Sequence, residues 1–389
     1  MTPASAPLRI VVMGLSISSS WGNGHATTWR ALLRACAARG HDVLFLERDV
    51  PWYAAHRDLP QPDFCRFDLY GDLQALAQRW GAAIAEADVV IVGSYVPDGV
   101  AVGDLVQRLA RGATAFYDID TPVTLAKLAR GEHEYLAPEQ IARYDLYLSF
   151  TGGPVLDVLR DRYGARRARV LFCSVDEHAY RPLDTGWRWD LGYLGTYSAD
   201  RQPTLERLLM EPARRAPQLR FAVAGPQYPP QILWPPNVER IEHLPPAEHA
   251  GFYASCRYTL NVTRDDMIRA GHSPSVRLFE AAACATPVIS DIWNGLSDLF
   301  RPGEEIVLAN DAETVVEQLL GDQDGAAAKR IGRAARARVL AAHTAGHRAS
   351  ELEAHIVEAA RQRQMRAAHD RRRLQREVLP QGAATQDHP

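Results

Sequence analysis

The chain has 389 residues, a formal net charge of −3, 47% hydrophobic residues and 23% charged residues. That composition excludes a largely disordered chain, leaves room for two α/β domains, and gives no global basic field that would draw nucleic acid. The five cysteines (Cys36, Cys65, Cys173, Cys256, Cys284) form no CxxC pair and no zinc spacing, and no apolar run is long enough to cross a bilayer, so a reducing cytoplasm is the expected compartment.

Ile10 to Leu15 reads as a first buried strand and residues 16–25, SISSSWGNGH, as a loop. An amphipathic helix follows from Thr27 to Arg39, ended by Gly40, and His41 to Glu47 is a second strand. This βαβ opening favours a doubly wound parallel sheet. The loop lacks a dinucleotide fingerprint, because Thr27 stands where the third glycine after Gly22 and Gly24 is needed. It reads instead as a flexible substrate or phosphate loop, with Gly22, Asn23, Gly24 and His25 as candidates at the strand ends. A plain turn with His25 starting the helix is the alternative.

Residues 49–72 carry prolines and aromatics without a period and read as an ordered loop, whose Trp52, Tyr53, His56 and Arg57 either line an acceptor pocket or pack. Strands are expected at 88–93, 114–117, 144–150 and 169–173, with helices between. The segment Asp118-Ile-Asp120-Thr121-Pro122 carries two carboxylates that an extended backbone points the same way. The pair alone supplies too few ligands for a metal, so none is expected. Acid–base work is the better use: Asp118 takes a proton, and Asp120 caps a helix that begins at Pro122.

The plan restarts with strands at 189–195, from 221, at 238–243, at 258–262 and at 287–290; residues 263–269 read as a loop. Gly271 to Ser290, GHSPSVRLFEAAACATPVIS, reads as loop, helix and strand. Ser273 and Ser275 around Pro274 suit a helix start, whose free N–H groups and Arg277 make an anion site. Glu280, one turn on, suits a pair of ribose hydroxyls; a capped helix with an Arg–Glu pair is the plain alternative.

Glu280-Ala-Ala-Ala-Cys284-Ala-Thr-Pro287-Val288-Ile289 resembles the nucleotide-sugar site of GT-B glycosyltransferases, E-x7-E followed by A-x-A-x-G-x-P-V-[IV]. The first Glu of that pattern would fall at His272, a departure. SPSVRLFEAAAC…PVIS and GNGHATTWRALLRA are similar to the CgeB-like (spore-maturation glycosyltransferase-like) branch. The resemblance spans roughly Leu8 to Arg348. It implies a GT-B fold of the α/β class: two Rossmann-like doubly wound parallel-sheet domains facing a cleft, with a C-terminal helix crossing back. The expected division is 1–185 for the acceptor domain, 186–345 for the donor domain, 346–378 for the helix, and 379–389 for a disordered tail.

The resemblance also implies a sugar-transfer activity. Gly195 and Arg201 would face the donor diphosphate, Gly225 the base, and Arg264, His272, Ser273, Ser275, Arg277 and Glu280 would complete the donor site, with Asp118, Asp120 and His25 catalytic. The donor is a nucleoside diphosphate sugar, with no cofactor and no metal, and the acceptor is open among glycan, lipid, natural product and protein. A GT-B-shaped sugar-nucleotide epimerase and a non-catalytic nucleotide-sugar binder or scaffold are the alternatives, the second prompted by His272. The basic run 361–376 reads as a solvated helix end and, more weakly, as a peripheral membrane contact.

Overall fold

The computed structural model describes residues 6–378; the tail expected at 379–389 lies outside the described residues. The first half builds β1 (Arg9–Gly14), β2 (Asp42–Arg48), β3 (Arg66–Tyr70), β4 (Val89–Gly93), β5 (Ala113–Asp118), β6 (Leu146–Ser149) and β7 (Ala168–Val170) into one sheet of order β3-β2-β1-β4-β5-β6-β7. The second half builds β8 (Trp189–Leu194), β9 (Phe221–Ala224), β10 (Val238–Ile241), β11 (Cys256–Asn261), β12 (Val288–Ser290) and β13 (Val307–Leu308) into a second, of order β10-β9-β8-β11-β12-β13. The pairings within both sheets are parallel.

Helices cover both faces, which is why a strand such as β4, VVIVG, is buried at every position rather than alternating. In each sheet the strand order reverses beside its first strand, between β1 and β4 and between β8 and β11. An open α/β sheet binds its ligand in that crevice, at the carboxyl ends of the strands. The two crevices share one cleft.

Three local expectations change. Residues 66–70 form an edge strand inside the stretch expected to be a loop; RFDLY buries only Tyr70, so it has no apolar face to announce it. Residues 265–270 form a short helix, Asp265–Ala270, where a loop was expected. The helix expected to start at Ser273 spans Val276–Ala283, with Ser275 at its N-cap position.

The long helix Ala345–Val378 returns from the second half onto the first. Leu352, Ile356 and Ala359 on it are buried in the core cluster that holds Leu32, Leu33 and Cys36 of the helix His25–Ala38. A ring of ion pairs fixes the crossing. Glu353 accepts from Arg39 Nε at 2.5 Å and lies 2.6 Å from His41 Nε2. Arg363 donates to the fully buried Asp145 at 2.8 Å, and Arg366 pairs with the same carboxylate. The basic run is therefore not a purely solvated helix end.

The hydrogen bond from Arg39, with His41 beside it, holds the Glu353 carboxyl down at about 2 from an ordinary value of 4.5. A depressed carboxyl contributes stability that is complete above its unfolded value and is lost as pH falls through its folded one. The clasp should therefore weaken between about pH 4.5 and about pH 2. Urea denaturation of Glu353→Gln across that window should show a flatter acid limb than the parent; an identical limb would contradict the clasp.

Candidate functional site

The loop after β1 is shaped by one buried carboxylate. Glu47, at the end of β2, accepts from the backbone N–H of Ile17 at 2.8 Å and of Ser18 at 3.0 Å, and from the hydroxyls of Ser16 at 3.0 Å and Ser18 at 2.7 Å. Arg30 adds a fork onto Asp58 at 2.9 and 2.8 Å, and Asp58 in turn accepts from Ser20. The expected flexible loop is therefore a bonded one. Its end is set by Asn23, whose side chain is buried, donates to the carbonyls of Ser16 and Ser19, and accepts from the His25 N–H at 3.0 Å. Gly22, Asn23, Gly24 and His25 all line the cleft, a cavity of about 520 Å³.

On the opposite wall the β8 and β9 ends approach closely. A Cβ on Gly225, whose φ is +142°, would lie 2.1 Å from the Gly195 carbonyl oxygen, so only glycine fits there. Arg277 is buried and held at several points. Its Nε donates to the Leu194 carbonyl at 2.7 Å, and its Nη1 donates to Asn261 Oδ1 at 3.0 Å and to Ser275 Oγ at 3.2 Å. The guanidinium also lies over the Tyr193 ring, 4.9 Å from its centroid. Ser275 thus orients Arg277 instead of capping the helix. Glu280 makes no ion pair with Arg277 among the described residues. It is buried at the cleft, accepts from the Tyr253 hydroxyl at 3.2 Å, and keeps capacity for further donors. Arg201 donates to the Thr196 carbonyl at 2.7 Å, its Nε is buried without a partner, and Arg264 lines the same wall.

Three expected residues are placed elsewhere. Asp118, the last residue of β5, is fully buried and does not line the cleft. Its carboxylate accepts from Tyr147 at 2.5 Å and Thr124 at 2.8 Å, and burial pushes its pKa up to about 6 despite those bonds. Ser273 is buried and bonded to Thr151 Oγ1 at 2.8 Å, across the junction of the two halves. His272 has a φ of +46°, which turns its ring against Gly153 and Gly295, with Nδ1 3.3 Å from Asp298 Oδ2 and outside the cleft lining.

Asp120, expected to cap its helix, makes no cap hydrogen bond and faces the cleft instead. Its Oδ2 lies 3.6 Å from His25 Nε2. Burial would raise its carboxyl, but His25, Arg264 and Tyr95 together hold it below the usual range, so it is ionised at neutral pH. Tyr95 is one of the cleft residues that sequence reasoning missed. It sits at φ +62°, an outlier for a bulky side chain, with its ring edge-on to His25 at 5.3 Å.

With this geometry in view, residues 201–354 match the family described as "Glycosyl transferase-like". No curated protein sequence matches the chain. Among solved structures, sucrose-phosphate synthase from Thermosynechococcus elongatus is similar at 16% identity, over 92% of this chain and 100% of its own, with a TM-score of 0.63. HepE of Anabaena, in complex with UDP-glucose, is similar at 12% identity over 90% of this chain and 98% of its own, with a TM-score of 0.66. An alpha-glucosyltransferase in complex with UDP-glucose and abasic-site DNA is similar at 13% identity, over 90% and 100%, with a TM-score of 0.69. Identities this low establish the fold alone: two doubly wound sheets about a cleft, with a returning helix, are the GT-B architecture. No described helix is long and apolar enough to cross a membrane.

Replacing Glu47 by Ala leaves two backbone N–H groups and two hydroxyls without their acceptor. The variant should lose about 3 kcal/mol of unfolding free energy, and amide exchange should quicken at residues 16–20. Unchanged exchange there would contradict the caged-loop description.

Proposed function

We propose that this chain is a glycosyltransferase that moves a sugar from a nucleoside diphosphate sugar to an acceptor hydroxyl, in the manner of the CgeB-like branch. The observation that carries this reading is the charge asymmetry of the cleft. Arg201, Arg264 and Arg277 line the second-half wall, and none of them is ion-paired to a carboxylate among the described residues. The first-half lining, by contrast, has no arginine or lysine among the described residues and carries the carboxylate of Asp120. Unneutralised guanidinium groups suit a diphosphate, whose oxygens accept forked hydrogen bonds and gain charge as the sugar leaves. Glu280 lies on the same wall and suits ribose hydroxyls as donors. The family description over 201–354 and the UDP-glucose complexes of the structural neighbours support the same donor class.

The acceptor enters from the first half. Asp120 is the proton acceptor in this proposal, and His25 orients it. His25 Nδ1 is buried without a partner, which leaves Nε2 as the nitrogen facing the carboxylate. The acceptor O–H proton passes to Asp120 and the acceptor oxygen bonds to the anomeric carbon. The anomeric C–O bond breaks with its electron pair going to the diphosphate, where the arginines receive it.

Two experiments test this. Thermal unfolding against UDP, GDP, TDP, ADP and CDP and their common sugars should show a rise with one nucleotide, about 2.7 kcal/mol at a hundredfold excess over Kd, and the rise should vanish in Glu280→Ala. No rise with any of them would contradict the donor site. Asp120→Asn should lower transfer about 100-fold or more while keeping the nucleotide-induced rise; unchanged transfer would remove Asp120 from the chemistry.

A further inference from the structure

The turn that follows β8 is bonded at almost every backbone group. The Gly195 N–H donates to the Ala224 carbonyl at 2.8 Å, and the Tyr197 N–H donates to the Pro226 carbonyl at 3.0 Å. Three successive carbonyls accept from side chains: Leu194 from Arg277 at 2.7 Å, Gly195 from the Tyr228 hydroxyl at 3.1 Å, and Thr196 from Arg201 at 2.7 Å. Between the Leu194 carbonyl and the Tyr197 N–H, the Thr196 N–H is the one group without a partner among the described residues. A backbone donor left open in so fully bonded a turn calls for an acceptor from outside the chain.

Tyr228 decides where that N–H points. The Gly195–Thr196 peptide is trans, so the Thr196 N–H points opposite to the Gly195 carbonyl. Tyr228 holds that carbonyl from behind: Gly195 and Thr196 line the cleft, and Tyr228 does not. The tyrosine is itself clamped. The Arg240 guanidinium lies 4.3 Å from the centroid of its ring and 4.9 Å from that of Trp234, and donates to the Gly225 carbonyl at 2.9 Å. Trp234 meets Tyr228 edge-on, with ring centroids 5.4 Å apart. A Cβ on Gly195 would lie 2.9 Å from Arg277 Nη2, so that guanidinium sits directly beside the turn. The open N–H thus faces the cleft on the wall where Arg201 and Arg277 lie.

We infer that Tyr228 is a positioning residue for the donor diphosphate: its hydroxyl turns the Gly195–Thr196 peptide so that the Thr196 N–H donates to a phosphate oxygen between Arg201 and Arg277. This deepens the donor reading above and rests on it. A carbonyl oxygen turned into the cleft would repel the diphosphate, and each of the three in this turn is already engaged. An N–H turned into it is a neutral donor, fixed before the ligand arrives, that acts on charge growing as the sugar leaves. Loss of the hydroxyl frees the peptide to rotate. A nucleoside without phosphates does not register that change.

The test is titration calorimetry of the full chain with UDP and, by competition, with uridine, or with whichever diphosphate gives the largest thermal rise and its nucleoside. Tyr228→Phe removes the hydroxyl and keeps the ring under Arg240. It should weaken UDP binding about fivefold and change uridine binding by less than about twofold. Melting curves check that the variant is folded. A merely structural loss would weaken both ligands alike; that result, or an unchanged UDP affinity, would overturn the inference while leaving the donor site standing. A second measurement needs no variant: the Thr196 amide proton resonance of the parent should move downfield with UDP and much less with uridine. A Thr196 amide unmoved by bound UDP would also overturn the inference. A parent protein that binds no nucleoside diphosphate would overturn the donor reading itself, and this inference with it.

Discussion

The guanidinium of Arg277 is the constraint around which the second half is arranged. It takes the carbonyl that ends β8, the side-chain amide that ends β11 and the hydroxyl that precedes the helix Val276–Ala283, and so draws three segments to one point at the switch in strand order. All three partners are neutral. A charge taken out of water and left without a counter-ion is costly unless a ligand or solvent supplies one. A site that tolerates this, beside two further arginines and a buried Glu280, supports the proposed donor, an anion with hydroxyls attached.

The first half supplies the opposite wall by a different device. Glu47 gathers the loop of residues 16–20 by its own backbone and hydroxyls, so that Asn23 and His25 arrive at fixed positions. The two walls are then held face to face. Trp21 stacks on His56 and reaches His243 of the other half, Thr151 bonds to Ser273, and the final helix clamps onto Arg39, His41 and Asp145. Each contact joins parts distant in sequence, which is how separate sheets yield one cleft.

Much of this fold is legible in the residues themselves. Buried parallel strands appear as unbroken apolar runs, and the run of Arg277 and Glu280 ahead of Pro287 points to two residues that line the cleft. What was not legible depends on side-chain direction. Asp118 reads as the base and Asp120 as a helix cap, but β5 extends to Asp118 and turns it into the interior beside Tyr147, while Asp120 is left at the cleft. His272 aligns with a motif position, yet its left-handed backbone carries the ring out of the cleft. Tyr95 was invisible because its position depends on a strained backbone that no residue pattern announces. Glu47 looked like an ordinary strand end, since its four donors come from a loop some thirty residues away. Arg363 and Arg366 read as solvated because nothing local reveals their partner Asp145.

The central claim is that one wall of the cleft holds a nucleoside diphosphate. The most direct measurement is a crystal structure of the chain with the diphosphate that stabilises it most. The account predicts the ribose hydroxyls on Glu280 and the phosphates between the Gly195 turn, Arg201 and Arg277. A nucleotide seated elsewhere, with Glu280 and Arg277 still bonded only to the protein, would contradict it.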